Sequence, residues 1–510
     1  MNIADILGVA AIFAIIGYVG YRSSREVQCV DDFTLAGSRL GRIQAGFSMA
    51  ATEFGGSSLI GAMAYCYTIG IAGAWWDWAA VPALVLLGVF FAGKIKLPHM
   101  VTVTEFFERR YDRPTRTLAT IMHLLAIVTQ LSTQFMVGAV ALNGVLGVPK
   151  TLGLLLSVTF VVLYTMGGGL IAVVNTDVVQ FIIIVASIAV ALPIALINAG
   201  GFSGLSAALP EGFLSFGNID AATVISWCLF CFFTYATNQH YIQRVLAAKD
   251  AATARFAFVF TGASYFVYGL AVALLGVCIV VLLPGISDPN MGYALLIESY
   301  MPAGVAGLIL GGIFAASMST ADSMLLAAST LFVNDIYNPF FRRRKDSEDG
   351  ALRTIRIVTV VICVLSLSVS MLMDNIINIM YLGGLFYSTA VFFPLVIGLV
   401  WKRATAPAAF ISMLCAVVVG LVSEFFLAGK AAGILGLPSN VMAAATSLLV
   451  FQTTLNVLGS VDILPLTGVT FPFVSNGGSA MMSAWGLLAF LKATDTRENA
   501  SFAIRSAPGR

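Results

Sequence analysis

Three acidic residues stand inside long apolar stretches of this 510-residue sequence: Glu53, Asp177 and Asp322. An ionised side chain is costly in hydrocarbon, so acidic residues in such stretches mark pathways for ions or polar solutes by default. The first 450 residues supply no nucleophile and base pair set in a soluble cleft. We therefore expect these carboxylates to serve binding, and we do not expect an enzyme.

The residues around Asp322 include a stripe of small and hydroxyl-bearing side chains. A spacing of i, i+3, i+4 and i+7 puts the stripe on one face of a helix: Ala316, Ser319, Thr320 and Ser323. A hard cation such as sodium needs several oxygen ligands and accepts neutral hydroxyls and carbonyls. Small hydroxyl residues also pack membrane helices without binding anything. Taken alone, the stripe favours neither explanation.

Glu53 lies beside a segment whose composition disfavours a continuous helix. It is followed by the glycine pair Gly55 and Gly56 and then by Ser57 and Ser58. A broken helix here would free backbone carbonyls, which is how many secondary transporters coordinate sodium near the midplane of the bilayer. The alternative is a close helix-packing contact at the glycine pair, with Glu53 near an interface.

Other chemistries find little support in the sequence. Cys228 and Cys231 have CxxC spacing, but they lie in an apolar helix without a second pair, and we interpret them as packing residues. The three histidines are isolated, which argues against a metal enzyme. The net charge is +2 and there is no basic arm, so a nucleic-acid partner is not expected.

The elements that must position these residues are membrane-spanning helices. Of all residues 59% are hydrophobic and 10% are charged, whereas soluble domains carry about 25% charged residues. Thirteen or fourteen helices fit the length, at about 20 residues per crossing. Apolar runs fall at 3–21, 41–68, 73–97, 118–147, 150–167, 171–199, 222–247, 255–284, 303–338, 354–373, 376–401, 405–428, 438–458 and 474–493. We expect 41–68 and 303–338, rich in Gly, Ser and Thr, not to be uniform helices.

Basic residues alternate from one side of the predicted spans to the other. They follow the first, third, seventh and ninth spans, as in 342–345 (RRRK) or Arg244 and Lys249, while the loops between lack Lys and Arg. Cytoplasmic loops carry the excess of positive charge. We therefore predict that the amino terminus lies outside and that these basic loops lie in the cytoplasm.

Four motifs in order make residues 3–450 resemble the sodium:solute symporter family, which includes transporters of sugars, proline, pantothenate, sialic acid and choline. The motifs are 104–111 (TEFFERRY), 164–180 (YTMGGGLIAVVNTDVVQ), 238–244 (NQHYIQR) with 247–249 (AAK), and 316–323 (ASMSTADS) with 335–337 (DIY). The resemblance implies an all-α LeuT-like core of two inverted five-helix repeats, at about 41–199 and 222–401. One helix precedes this core and two or three follow it.

The resemblance also implies a sodium site. Its ligands would be the carbonyls of Ala51, Phe54 and Ala316 with the hydroxyls of Ser319 and Thr320. Some members resemble a two-sodium design with an acidic residue matching Asp177 and further hydroxyls on the eighth core helix. This sequence has Asp322 and Ser323 at those hydroxyl positions. A second cation, or a proton shared between the carboxylates, is therefore an open alternative.

The transported solute is expected to be a small organic molecule held between the two broken helices. The residues implied to surround it are Glu53, Ser57, Ser58, Trp75, Trp76, Asp77, Tyr235 and Asn238. Tryptophans beside carboxylates suit a cationic or amine-bearing solute through cation–π and ion-pair contacts. Tryptophans are equally ordinary at membrane interfaces. Membrane lipid is the other expected partner, and a bacterial inner membrane the expected location.

The end of the chain has a different character. Residues 452–456 (QTTLN), 464–468 (LPLTG) and 471–479 (FPFVSNGGS) look like the carboxy end of the SEDS glycosyltransferases of the FtsW/RodA type. We therefore predict two parts, a transporter domain at 1–450 and a SEDS-like fragment at 451–510 with one helix and a tail. The alternatives to a sodium-coupled transporter are a SEDS-type membrane glycosyltransferase or an inactive fusion.

Overall fold

Helices account for nearly all of the described chain. A computed structural model of the protein describes residues 3–27, 30–95, 100–165, 169–341, 348–372, 379, 382–384, 386–401, 404–422 and 446–450. The predicted SEDS-like fragment and the span at 474–493 lie outside these residues, and the spans at 376–401 and 438–458 are described only in part. Residues 166–168 of the motif at 164–180 also lie outside them.

Twenty-one α-helices have defined bounds within the described ranges. Those up to residue 247 are α1 (Ile3–Ser24), α2 (Val30–Leu35), α3 (Arg42–Glu53), α4 (Gly56–Ile69), α5 (Trp75–Trp78), α6 (Ala80–Leu86), α7 (Ala92–Ile95), α8 (Glu105–Arg110), α9 (Arg113–Leu146), α10 (Lys150–Thr165), α11 (Gly169–Asn198), α12 (Gly201–Ala208), α13 (Ala221–Thr237) and α14 (Gln239–Ala247). The others are α15 (Ala251–Leu282), α16 (Gly292–Tyr300), α17 (Val305–Leu331), α18 (Asn338–Phe340), α19 (Glu348–Leu372), α20 (Ser388–Val400) and α21 (Ala406–Val422).

Seven helical segments in the described part of the chain are long and apolar enough to cross a membrane. They are Ile3–Ser24, Gly56–Phe91, Arg113–Leu146, Gly169–Asn198, Ala251–Leu282, Val305–Phe340 and Arg353–Leu372. Shorter apolar helices accompany them, including α13 and α21. The prediction of an all-helical protein with many membrane crossings is confirmed.

The predicted break in the first long segment is present. α3 ends at Glu53, Phe54 leaves helical geometry with ψ of 36°, and extended Gly55 precedes α4. Both glycines stand in tight places. A methyl group at Gly55 would lie 2.6 Å from Oγ1 of Thr320, and one at Gly56 would lie 2.5 Å from a methyl of Val137. Only residues without a side chain allow this close approach.

A second break separates α13 from α14 at Asn238, whose backbone is extended with ψ of 129°. The carbonyl of the preceding residue, Thr237, accepts a hydrogen bond of 3.2 Å from the Tyr387 hydroxyl. This hydrogen bond satisfies the carbonyl at the end of α13, because a buried backbone carbonyl needs a hydrogen-bond partner. The break turns the polar residues of α14 toward the interior of the bundle, where all nine residues of the helix are buried.

The expectation of an irregular helix at 303–338 is wrong for the Gly- and Ser-rich part. α17 is continuous from Val305 to Leu331, and a π-helical turn follows only at Phe332–Tyr337. The small residues serve packing against α1 and α11 instead. A methyl at Gly307 would lie 2.4 Å from the Asp5 carbonyl, and one at Gly312 would lie 2.2 Å from the Ser187 hydroxyl.

Candidate functional site

The end of α3 and the middle of α17 meet through hydroxyl and carbonyl oxygens. The Ser319 hydroxyl donates to the carbonyl of Ala51 at 2.9 Å and lies 3.0 Å from the carbonyl of Ala316. The Thr320 hydroxyl lies 2.8 Å from the carbonyl of Thr52 and 3.2 Å from that of Ala316. All five residues are buried. Five oxygens from two helices therefore lie in one small volume.

This oxygen set has the chemistry that a hard cation requires. The oxygens of an octahedral site with metal–oxygen distances near 2.4 Å are about 3.4 Å apart, by the geometry of hard-ion sites. The observed separations of 2.8–3.2 Å would need to widen by only a few tenths of an ångström. The second α3 carbonyl of this set is that of Thr52, whereas the predicted ligand is the carbonyl of Phe54, the residue that directly follows α3. The residues thus fit a bound sodium ion.

A second polar group surrounds Asp177 and contains a residue that the sequence analysis misassigned. The Arg244 guanidinium pairs with the Asp177 carboxylate at 2.9 Å and contacts the Ser323 hydroxyl at 2.6 Å. It also contacts the hydroxyls of Ser48 and Thr52, each at 2.8 Å. The pattern of basic residues predicts Arg244 in a cytoplasmic loop, and this prediction is wrong. Arg244 lies in α14 with 2% of its surface exposed.

Asp322 is buried next to this second group. Its Oδ1 lies 3.4 Å from the Ser323 hydroxyl, which donates a shorter bond of 2.7 Å to the Ser319 carbonyl. Ser323 therefore links the residues around Asp177 to the helix that carries Ser319 and Thr320. The positions predicted for a second cation do lie together, but the guanidinium of Arg244 is among them.

A cavity with a mostly apolar lining that also contains polar groups lies beside the break between α3 and α4. Its lining includes six of the eight residues predicted to surround the solute: Glu53, Ser57, Ser58, Trp76, Tyr235 and Asn238. The Glu53 carboxylate accepts hydrogen bonds from Tyr235 and, at 2.6 Å, from Tyr241. The cavity thus combines a carboxylate, hydroxyls and aromatic rings.

The remaining two predicted residues lie behind or away from this cavity. Asp77 accepts hydrogen bonds from Ser58 at 2.7 Å and from Tyr265 at 2.8 Å, so it supports two residues of the lining. Trp75 is not part of the lining. Its indole nitrogen donates to the carbonyl of Phe216 at 3.0 Å. Of the three consecutive residues 75–77, only Trp76 faces the cavity.

Several lining residues were missed because they come from distant parts of the sequence. They are Gln130, Thr133, Gln134, Trp227, His240, Tyr241, Tyr265 and Met324. Gln134 donates to the Ser57 hydroxyl at 3.1 Å. The signal that could have found Gln130 and Gln134 is their spacing of four residues within a predicted membrane span, which puts both amides on one helical face.

The described helices define a multi-pass membrane protein with a LeuT-like architecture. A solved structure of a Na⁺-coupled sialic acid symporter in a substrate-bound outward-open state superposes with a TM-score of 0.79, at 20% identity. The similarity covers 89% of this chain and 98% of that one, so the predicted fold class is confirmed.

The chain belongs to the sodium:solute symporter family, whose model matches residues 33–416. It is 27% identical to the sodium/glucose cotransporter of Vibrio parahaemolyticus, over 83% of this chain and 86% of that protein. The osmoregulated proline transporter of Bacillus subtilis is 24% identical over 79% of this chain and 85% of its own length. A high-affinity choline transporter of Caenorhabditis elegans is 26% identical over 74% and 71%, respectively. The predicted membership and integral membrane location are confirmed.

The carboxy-terminal part matches a second family model, of the FtsW/RodA/SpoVE type and described as a cell cycle protein, at residues 411–500. The predicted resemblance of the tail is therefore confirmed. This match covers less than a fifth of the chain and overlaps the symporter model only at residues 411–416. The boundary at residue 450 stays a prediction, as does the placement of the amino terminus outside.

Proposed function

We propose that this protein couples the inward movement of sodium to the uptake of a small organic solute by alternating access. The observation that carries the proposal is the contact between the Ser319 hydroxyl and the carbonyl of Ala51, because it joins α17 to the broken end of α3. Sodium would be held by the carbonyls of Ala51, Phe54 and Ala316 with the hydroxyls of Ser319 and Thr320.

Sodium binding would organise the solute cavity through the break between α3 and α4. The sodium ligands end at Phe54, while Glu53, Ser57 and Ser58 flank the same break and line the cavity. A cation held between the end of α3 and α17 would therefore fix the position of the cavity residues. By linkage, the solute must raise the affinity for sodium by the same factor as sodium raises the affinity for the solute.

The solute that these groups favour is a small organic cation. Glu53 faces the cavity together with the indole rings of Trp76 and Trp227, and no Lys or Arg is among the described residues of the lining. A carboxylate beside aromatic rings binds ammonium groups through ion-pair and cation–π contacts. The hydroxyls of Tyr235 and Tyr241 both donate to the Glu53 carboxylate and so hold it in place beside the cavity.

The sodium site can be tested before the solute is known. A ligand that binds only the folded state raises the apparent stability, by about 2.7 kcal/mol at a hundred times its dissociation constant. We expect sodium, compared with potassium, to raise the unfolding temperature of the purified protein, and we expect Ser319→Ala with Thr320→Ala to abolish this effect.

The matched control for this test is Ser329→Ala. Ser329 is a buried serine of the same helix that donates to the carbonyl of Leu325 at 2.9 Å and lies outside the sodium ligands. This variant should keep the full sodium-dependent shift. If sodium raised the unfolding temperature of the double variant as much as that of the wild type, the proposed site would be ruled out. Polymerisation of lipid II by the purified chain would favour the glycosyltransferase alternative instead.

A further inference from the structure

We propose that His123, neutral and with its proton on Nδ1, is the positioning residue that fixes the second helix break and turns the side-chain oxygen of Asn238 toward the solute cavity. The effect on the solute rests on the proposed function. His123 lies in α9, and the break separates α13 from α14 at Asn238. Both residues are buried, so each polar atom at the break needs a hydrogen-bond partner.

His123 and Tyr387 together hold the two helix ends at this break. The first amide of α14, that of Gln239, donates a hydrogen bond of 3.3 Å to Nε2 of His123. The last carbonyl of α13, that of Thr237, accepts the hydrogen bond from Tyr387. The imidazole and phenol rings are stacked, with centroids 3.8 Å apart and an angle of 11° between their planes. One stacked pair therefore satisfies backbone groups that helix ends leave without helical partners.

The amide of Gln239 decides which nitrogen of His123 carries the proton. An imidazole nitrogen that accepts a hydrogen bond has no proton of its own. Because Nε2 accepts from Gln239, the ring is neutral and its proton is on Nδ1. Nδ1 has no hydrogen-bond partner among the described residues, so it favours neither tautomer.

The protonation state of His123 in turn determines the orientation of the Asn238 amide. The two ends of an amide have the same shape, so the hydrogen-bond network decides which end is nitrogen. With Oδ1 of Asn238 at 2.9 Å from Nε2, two acceptors would face each other, and Nδ2 would have no partner in the described part of the chain. Rotating the amide by half a turn lets Nδ2 donate to Nε2 and leaves the oxygen on the opposite side.

The oxygen of Asn238 then adds an acceptor to the solute cavity, whose lining includes this residue. Two other residues of the lining offer acceptors as well. Glu53 contributes its carboxylate, and Gln134 donates to Ser57 through Nε2, which leaves its Oε1 without a partner among the residues that the structure describes. Such a cavity favours a cation that carries N–H or O–H groups over a quaternary ammonium ion that has neither. His123 is not part of the lining, so it acts on the solute through Asn238.

Solid-state NMR of the full-length protein, reconstituted in lipid with ¹⁵N-labelled histidine, tests the protonation state directly. The sequence contains three histidines, and the signals of His123 are those that disappear in His123→Gln. We expect Nδ1 to carry the proton and Nε2 to have none. A proton on Nε2 would overturn the proposal, because Nε2 would then donate to the oxygen of Asn238.

The role in solute binding is tested by sodium-dependent uptake of radiolabelled ethanolamine, a small cation with N–H and O–H groups, into proteoliposomes. His123→Leu removes the acceptor and should raise KM about fivefold, the order expected for one lost hydrogen bond, with little change in the maximal rate. His123→Gln offers an amide oxygen that can accept both hydrogen bonds and should stay close to the wild type. The control is Met122→Leu, which exchanges one buried apolar side chain of α9 for another and should leave uptake unchanged.

Three uptake results would also overturn the proposal. The first is an unchanged KM in His123→Leu, and the second is an equal rise of KM in His123→Leu and His123→Gln. The third is a wild type that takes up tetramethylammonium in preference to ethanolamine. If His123→Leu does not fold, the NMR result on the wild type decides. A wild type without sodium-dependent uptake of any solute would instead contradict the proposed function, and the NMR result would still decide the state of His123.

Discussion

Glu53 is the residue on which the solute cavity depends most. It lies at the last turn of α3, and its carboxylate accepts hydrogen bonds from the Tyr235 and Tyr241 hydroxyls. Both tyrosines come from the second broken region, around Asn238. Glu53 therefore joins the two breaks and also offers the negative charge that a cationic solute would recognise.

Replacing Glu53 by Gln should weaken the binding of a cationic solute. Hydrogen bonds to charged groups contribute about 1.5–3 kcal/mol, which corresponds to a rise of about tenfold to a hundredfold in the half-saturating solute concentration. The measurement is the concentration dependence of uptake in proteoliposomes. Glu298→Gln, which changes an exposed glutamate of α16, is the control and should leave uptake unchanged. An unchanged affinity in Glu53→Gln would contradict a cationic solute.

At the residue scale, the sequence predicted side chains whose spacing defines a face and missed those that depend on tertiary contacts. The face of Ser319 and Thr320 is a property of one helix, so it could be predicted, and these residues do meet the carbonyls of α3. Arg244 looked like a loop charge because only the break at Asn238 turns α14 inward. Trp75 and Trp76 are adjacent in sequence, and only the fold decides which one faces the cavity.

The broken helix α3–α4 is the element that connects the proposed sodium and solute sites. Its break depends on Gly55, since a methyl group there would lie 2.6 Å from the Thr320 hydroxyl. We expect Gly55→Ala to displace Thr320 and to raise the sodium concentration needed for half-maximal stabilisation by about tenfold, since overpacking typically costs about 1–3 kcal/mol.

The control for Gly55→Ala is Gly17→Ala in α1. No atom lies within 4 Å of a methyl group placed at Gly17, and the residue is in a helix. Alanine is favoured over glycine in helices, so this variant should keep the sodium response and lose no stability. Sodium titrations of the unfolding temperature compare the two variants. A normal sodium response in Gly55→Ala would show that the close contact with Thr320 is not needed for binding.

A buried carboxylate outside both sites ties α9 to the end of the α17 segment. Asp335 in the π-helical turn accepts hydrogen bonds from Thr102 and Thr120, each at 2.8 Å, and pairs with Arg116. We expect Asp335→Ala to lower the free energy of unfolding by about 3–5 kcal/mol, because it leaves a buried arginine without this partner.

The comparison variant for Asp335→Ala is Glu108→Gln, which removes the other carboxylate paired with Arg116. The Glu108 side chain is 40% exposed, so its pair should contribute at most about 1 kcal/mol. The free energy of unfolding of both variants is measured in detergent without sodium. Equal losses of stability would contradict the distinction between the buried and the exposed pair.

At the element scale, the sequence predicted where apolar segments begin and end more reliably than how straight they are. The glycine pair at 55–56 and the glycines of α17 look alike in composition, yet one pair breaks a helix and the others pack inside one. The difference lies in the backbone conformation, which composition does not encode. Gly55 is extended with ψ of 161°, whereas Gly307 and Gly312 lie inside an unbroken α17 and allow α1 and α11 to approach it.

As a whole molecule, the chain combines a symporter body with a tail that resembles another family. The symporter body could be identified from the sequence because four motifs of the family occur in the same order across about 450 residues. The model of the sodium:solute symporter family spans 33–416 and the cell cycle model spans 411–500. The solute could not be predicted, because the cavity lining comes from many separate helices and its shape depends on how they pack.

The central claim is sodium-coupled solute transport, and uptake into proteoliposomes tests it most directly. The full-length protein should be assayed with choline-like amines, amino acids, sugars and monocarboxylates, each with and without an inward sodium gradient. We expect at least one solute, most readily an organic cation, to accumulate only with the gradient, and Ser319→Ala with Thr320→Ala to abolish this accumulation. Uptake that is the same with and without the sodium gradient for every transported solute would contradict the account.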